Sequence, residues 1–102
     1  MLTGKQKRYL RSLANTMEPV VQVGKDSVTD NVAFSLNEAL TARELIKVKV
    51  LKNCLDEMSD VAEELAAKGN AELVQIIGRT VVLYRRNPKK PMIELPKEDK
   101  RK

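Results

Sequence analysis

The stretch ELIKVKVL, residues 44–51, alternates between apolar and charged side chains over most of its length. Its β-branched residues at positions 46, 48 and 50 fall on one side of an extended chain, while Lys47 and Lys49 fall on the other. This period of two predicts a half-buried β-strand with a cationic outer face. Such a strand requires a sheet, and the flanking sequence predicts one.

Helical and strand-like periods continue on both sides of this stretch. Thr3 with Gln6 has the spacing of a capping box, and Thr29 is a suitable N-cap. The pair Gly69-Asn70 is typical of a left-handed helix stop, and Gly78-Arg79 of a two-residue type II′ hairpin link. The predicted elements are, in chain order, helix 3–15, strand 19–23, helix 29–42, strand 44–51, helix 56–68, strand 73–77 and strand 80–86.

The order α-β-α-β-α-β-β defines the fold class. Strands separated by helices favour parallel pairing through right-handed crossovers, and the final hairpin adds an antiparallel strand. We therefore expect an α/β (α+β) two-layer sandwich with a mixed four-stranded sheet over residues 1–87. Residues 88–102 are rich in Pro and Lys and lack an apolar period, so we expect a basic, partly mobile tail.

Composition excludes several classes of protein. The 102 residues include 19 Lys+Arg and 14 Asp+Glu, a formal charge of +5, with one Cys and no His. Without His the chain lacks the usual zinc ligand and the base of a Ser-His-Asp triad, so we expect no enzyme, no metal and no cofactor. A single Cys and the lack of a long apolar stretch favour a cytoplasmic protein without membrane contact. We expect a monomer.

The charges are segregated along the chain. Residues 1–25 carry a net +4, residues 26–78 a net −5 and residues 79–102 a net +6. Basic ends of this kind attract polyanions although the total charge is modest, because only the local surface must neutralise phosphates. The alternative is that basic termini only aid solubility.

The segment Gly24-Lys25-Asp26-Ser27 lies between a predicted strand and a predicted helix start. Gly24 permits close approach of a phosphate to the backbone, Lys25 adds a positive charge, and the first amides of the next helix are free to bind anions. An ordinary strand-to-helix turn is the alternative. The segment is not a Walker loop, because it lacks the second Gly and the Lys-Ser/Thr pair.

Four blocks of sequence resemble a known family, the CRM domain (chloroplast RNA splicing and ribosome maturation), whose stand-alone bacterial form is the YhbY family. The blocks are LTGKQKRYLR (2–11), PVVQVGK (19–25), ARELIKVKV (42–50) and QIIGRTVVLYR (75–85). The resemblance covers residues 1 to about 87. It implies a fold similar to the C-terminal domain of bacterial translation initiation factor three, and binding to ribosomal RNA of large-subunit precursors.

The resemblance also implies a role for the Gly24 loop. The family has a Gly-x-x-Gly loop that contacts RNA, and Ser27 stands here in place of its second glycine. A serine is strained at that position if the loop requires a positive φ angle. We predict a non-catalytic RNA-binding surface made of the first helix, this loop and the strand cations. Its predicted residues are Lys5, Lys7, Arg8, Arg11, Gly24, Lys25, Asp26, Ser27, Lys47, Lys49, Arg79, Arg85 and Arg86.

Four further interpretations stay open. Phe34 lies off the apolar stripe of its helix, so its ring is either available for stacking on a base or buried under a neighbouring element. A protein-interaction adaptor using Phe34 and the acidic third helix is the alternative function. A small enzyme acting on RNA is a third hypothesis. Arg79 is interpreted either as an RNA contact or as a turn residue.

Overall fold

The computed structural model of the protein describes residues 2–97, and its elements follow the predicted order. They are α1 (Gly4–Ala14), β1 (Val21–Val23), α2 (Asp30–Arg43), β2 (Leu45–Val50), α3 (Met58–Gly69), β3 (Glu72–Ile77) and β4 (Thr80–Tyr84). Both predicted helix caps are present. Thr3 and Gln6 form a reciprocal capping box, and the Thr29 hydroxyl accepts from the Val32 N–H at 3.2 Å.

The four strands form one mixed sheet in the order β1-β2-β4-β3. β1 and β2 are parallel, and β4 is antiparallel to both β2 and β3. Gly78 has φ +55° at the predicted hairpin link, where Ile77 pairs with Thr80. The described elements therefore confirm the predicted fold class of three helices and a mixed four-stranded sheet.

Helices cover both faces of the sheet. The larger core lies beneath α2 and α3 and includes Leu36, Leu65 and Val48. The smaller core lies on the opposite face, where α1 packs through Leu10 on Val82. The predicted two-layer sandwich corresponds to the sheet with α2 and α3. Helix α1 adds a partial third layer, because the strands also place the apolar side chains of Leu45, Val82 and Tyr84 on the reverse face of the sheet.

Pairing places three connections at one end of the sheet. Because β1 and β2 are parallel neighbours, with Val23 opposite Val50, the loops that follow them lie side by side. Lys49 is opposite Thr80, so the β3–β4 hairpin turn lies at this same end. We call it the loop end of the sheet.

The segment after β4 is attached to the opposite end by a buried carboxylate. Glu44, fully buried, accepts the Asn87 N–H at 2.7 Å, the Met92 N–H at 3.0 Å and the Ile93 N–H at 2.8 Å. Further along, Ile93 and Leu95 pack against the smaller core. The predicted tail therefore contacts the domain as far as Pro96, its mobility stays a prediction, and residues 98–102 lie outside the described part of the chain.

Glu44 is also conformationally unusual. Its φ of 66° and ψ of −46° end α2 abruptly, while its N–H still donates to the Leu40 carbonyl at 2.9 Å. Burial by itself raises the pKa of the Glu44 carboxyl. The N–H groups of Asn87, Ile93 and Met92 and the charge of Arg86 together lower this pKa by more than burial raises it. The net effect is a pKa below the usual range for Glu, so the buried group is a carboxylate at neutral pH.

Candidate nucleic-acid interface

Helix α1 presents cations on the side away from its core contacts. Leu10 and Ala14 are buried, whereas Lys5 and Arg8 are exposed and Lys7 and Arg11 are half-buried. Gln6 lies among the apolar residues of this helix because it closes the capping box and donates to the Pro96 carbonyl at 3.1 Å. Lys5 and Arg8 thus lie on the outer side of a helix whose inner side is fixed, and Lys7 and Arg11 lie at its half-buried margins.

The two strand lysines lie on the same sheet face as α1. Val48, between them in sequence, is buried in the larger core on the α2 and α3 side. Lys47 is half-buried opposite Val82 of the smaller core, and Lys49 is exposed opposite Thr80. The predicted cationic outer face of β2 is therefore continuous with the face that carries α1.

The Gly24 loop is a tight turn at the loop end of the sheet. The Ser27 N–H donates to the Gly24 carbonyl at 3.0 Å, and Ser27 has φ +62°. The loop thus requires the positive φ that glycine adopts freely, and serine there costs about 1 kcal/mol of strain. Lys25 and Asp26 are exposed, whereas the buried Ser27 hydroxyl has no hydrogen-bond partner within residues 2–97.

Gly24 itself is not required by internal packing. Its φ lies outside the left-handed region, and a Cβ there would have Asn53 Oδ1 as its nearest contact, at 3.9 Å. That is an ordinary van der Waals distance. The lack of a side chain at position 24 therefore leaves the backbone open to an external group.

Arg79 is committed to the protein itself. Its Nε donates to the Val50 carbonyl at 3.0 Å, and its Nη2 donates to the carbonyls of Leu51 at 2.8 Å and Cys54 at 2.9 Å. Three of its five N–H donors are thus used inside the fold. Arg79 therefore has a structural role, which is more than that of a simple turn residue, and its contact with RNA stays a prediction.

Arg85 is engaged in the same way on the α2 and α3 side of the sheet. Its Nη1 donates to Asn37 Oδ1 at 2.7 Å and to the Gly69 carbonyl at 2.6 Å. Its Nη2 donates to the Asn37 carbonyl at 3.2 Å and to the Thr41 hydroxyl at 2.9 Å. All four terminal donors of Arg85 thus hold α2 and α3 to the end of β4, and its contact with RNA stays a prediction.

Arg86 is exposed but lies at the end of the sheet opposite the Gly24 loop. Its charge acts there on the buried Glu44 and Tyr84. Burial and the Glu44 carboxylate raise the pKa of the Tyr84 phenol, and the charge of Arg86 opposes this. The predicted strand cations therefore separate into Lys47 and Lys49 on the α1 face and three arginines elsewhere.

Phe34 is 68% exposed, so the interpretation as a buried ring is wrong. Its helix, α2, packs on the sheet face opposite α1. The same face carries the exposed acidic residues Asp60, Glu63 and Glu64 of α3. The fold therefore separates Phe34 and the acidic helix from the α1 cations.

The described residues provide no conventional site for metal chemistry. Within residues 2–97, no group of three or more His, Cys, Asp and Glu side chains is placed to hold a metal ion. In the same range, none of the helices is long and apolar enough to cross a membrane.

The fold and the site define a small α+β domain with one cationic face and a tight glycine loop at its edge. Residues 2–85 match the CRS1 / YhbY (CRM) domain model. The chain belongs to this family, as its four sequence blocks predicted.

Relatives of this chain match it over nearly its whole length. The chain is 54% identical to "Probable RNA-binding protein YqeI" of Bacillus subtilis over 94% of this chain and all of the relative. A probable RNA-binding protein of Methanocaldococcus jannaschii is 40% identical over 97% of this chain and 80% of its own length. The solution structure of a Staphylococcus aureus protein, named as a candidate RNA-binding protein, is 48% identical with a TM-score of 0.81, over 94% of this chain and all of that one.

Proposed function

We propose that this protein binds RNA without catalysis and that its partner is ribosomal RNA of large-subunit precursors, whose assembly it assists. One observation carries the RNA-binding part: α1, Lys47 and Lys49 share one face of the sheet, while the acidic helix α3 packs on the other. The names of the relatives support the same partner class. The ribosomal part is supported by the family resemblance alone.

The binding mode follows from the chemistry of this face. Exposed Lys and Arg side chains neutralise phosphates, and the open backbone at Gly24 allows a phosphate to approach closely. The acidic opposite face repels RNA, so the domain has one preferred orientation on its partner. A protein of this kind acts by holding structured RNA.

Salt dependence tests the binding mode with a matched pair of variants. We expect Lys5→Ala with Arg8→Ala to lower the slope of log K against log[salt] by about 1 to 2, because each lost phosphate contact removes about 0.7 to 0.9 from it. The control is Arg43→Ala with Lys68→Ala, which removes the same charge from exposed positions on the other face. Both variants are measured by fluorescence anisotropy with a structured RNA.

The control variant should keep nearly the full slope. Equal losses in both variants would show that only net charge matters, which contradicts the proposed face. Binding that is absent or insensitive to salt would favour the adaptor that uses Phe34 and the acidic α3.

The ribosomal assignment needs a separate experiment. We expect the protein to sediment with large-subunit precursors when a cell extract is separated on a gradient at low salt, and to crosslink to their RNA. If it stays at the top of the gradient, the ribosomal assignment fails while RNA binding stands on the salt experiment.

A further inference from the structure

The loop between β2 and α3 lies directly beside the Gly24 loop. The Leu51 N–H donates to the Val23 carbonyl at 2.8 Å and so extends the parallel ladder by one bond beyond the strands. The loop then passes close to Gly24: Asn53 Oδ1 lies 3.9 Å from the position that a Cβ on Gly24 would take. Two loops thus form a single rim at the loop end of the sheet.

Arg79 holds this second loop in one conformation. Its guanidinium, which extends from the β3–β4 turn, donates to three carbonyls, those of Val50, Leu51 and Cys54. The Cys54 N–H also donates to the Leu51 carbonyl at 3.0 Å, and the Cys54 side chain is buried in the larger core. A loop tied at both ends loses little conformational entropy when it binds a ligand.

The side chains between and after these anchor points are free of the core. Lys52 and Asn53 are exposed at the tip of the loop. Leu55 is 91% exposed, the largest fraction among the exposed large apolar side chains of residues 2–97. This rigid loop therefore presents a cation, an amide and an apolar side chain. These groups complement the phosphate, the base edge and the base face of an unpaired nucleotide.

We infer that residues 52–55 form a second RNA contact beside the Gly24 loop, specific for an unpaired nucleotide. Lys52 binds a phosphate, the Asn53 amide bonds a base edge, and Leu55 packs against the face of that base. Arg79 is the positioning residue that keeps the loop in place. The contact ends at Leu55, because Asp56 and Glu57 follow it and begin the acidic region. This inference rests on the proposed RNA binding.

Two RNA probes test the inference: a labelled hairpin with a single-stranded extension, and the corresponding fully paired duplex. We expect Leu55→Ser to weaken binding of the first probe by about tenfold, which corresponds to one apolar contact with a base, and to leave duplex binding unchanged. Lys52→Ala should lower the salt slope by about 0.7, whereas Leu55→Ser should leave it unchanged. Lys68→Ala is the charge control on the opposite face.

Arg79 is tested by comparing two substitutions. If it acts by position, Arg79→Lys and Arg79→Ala both release the loop and both lose the preference for the unpaired extension, with increased hydrogen exchange at the Cys54 amide. If Arg79→Lys binds like the native protein, Arg79 is a direct cationic contact and its positioning role is wrong.

The outcomes separate the inference from the proposed function. If the native protein binds neither probe, the proposed function fails. If substitutions at Lys5 and Arg8 weaken binding while those at Lys52, Asn53 and Leu55 do not, the proposed function stands and this second contact is wrong. Because these three side chains are exposed or project from a loop, their variants are expected to fold.

Discussion

Gly24 is the residue at which loop function can be separated from loop stability. A methyl group fits there without a contact shorter than 3.9 Å, and the backbone φ suits any residue. We expect Gly24→Ala to change the free energy of unfolding by less than about 0.5 kcal/mol. It should weaken RNA binding by about tenfold, because a Cβ keeps the phosphate from the backbone.

Gly78→Ala is the stability control for this experiment. Gly78 has φ +55° with open space around it, so the alanine variant should lose about 1 kcal/mol through backbone strain alone. Thermal unfolding and RNA anisotropy on both variants give the comparison. Native RNA affinity in Gly24→Ala would show that no group approaches the backbone at this position.

The sequence predicted individual side chains well where one local period determines their direction. Lys47 and Lys49 lie as predicted because alternation along a strand fixes the face of every residue. Arg79 and Arg85 are held by internal hydrogen bonds that the sequence did not predict, because their acceptors lie 16 to 48 residues away. Lys52, Asn53 and Leu55 were missed, since nothing local shows that their loop adjoins Gly24.

At the scale of elements, the contact between α2 and α3 depends on Gly69. The predicted helix stop is correct, but its left-handed residue is Asn70, with φ 50°, whereas Gly69 is buried within the last turn of α3. A Cβ at Gly69 would lie 2.8 Å from Leu40 Cδ1 and 3.1 Å from Leu36 Cδ2. Both leucines are fully buried in the larger core.

We therefore expect Gly69→Ala to destabilise the protein by about 2 kcal/mol through overpacking. Gly4→Ala is the matched control, because Gly4 also lies in a helix but is exposed, and its nearest contact would be Arg8 Nη1 at 3.7 Å. That variant should gain up to about 0.5 kcal/mol from helix propensity. Urea unfolding of both variants measures the difference, and a neutral Gly69→Ala would show that the two helices can separate without cost.

Element order, the β3–β4 hairpin and the helix caps followed from the sequence because each depends on residues within a few positions. The assignment of helices to faces did not, since both sides of β2 and β4 carry apolar residues: Ile46 and Leu83 face one core, and Leu45 and Tyr84 face the other. Only the three-dimensional arrangement shows that α1 takes the second face. That placement puts the cations of α1 on the same side of the sheet as Lys47 and Lys49.

At the scale of the whole molecule, Glu44 joins the folded domain to the segment that follows it. Its carboxylate accepts three backbone N–H groups of residues 87–93, and the same segment then packs beside α1. This attachment was not predicted, because a Glu in a helix-to-strand junction has no local mark of burial. It explains how Pro96 comes to contact Gln6 of the cationic helix.

The attachment should make stability depend on pH with a definite sign. The pKa of Glu44 is lower in the folded protein than its ordinary value. The contribution of this carboxylate to the free energy of unfolding is therefore complete above the unfolded pKa of about 4.3 and is lost as the pH falls through the folded pKa.

We expect Glu44→Gln to be less stable than the native protein by about 2 kcal/mol at pH 7, because charge-assisted bonds are lost. The difference should shrink as the pH falls through the lower, folded pKa of Glu44, where the native carboxylate becomes protonated. Urea unfolding between pH 7 and pH 3 measures it, and trypsin cleavage after Lys89 reports whether the segment is released. Glu94→Gln, at an exposed carboxylate of the same segment, is the control and should change neither readout. Equal stability of Glu44→Gln and the native protein across this range would mean that the buried carboxylate does not hold the segment in place.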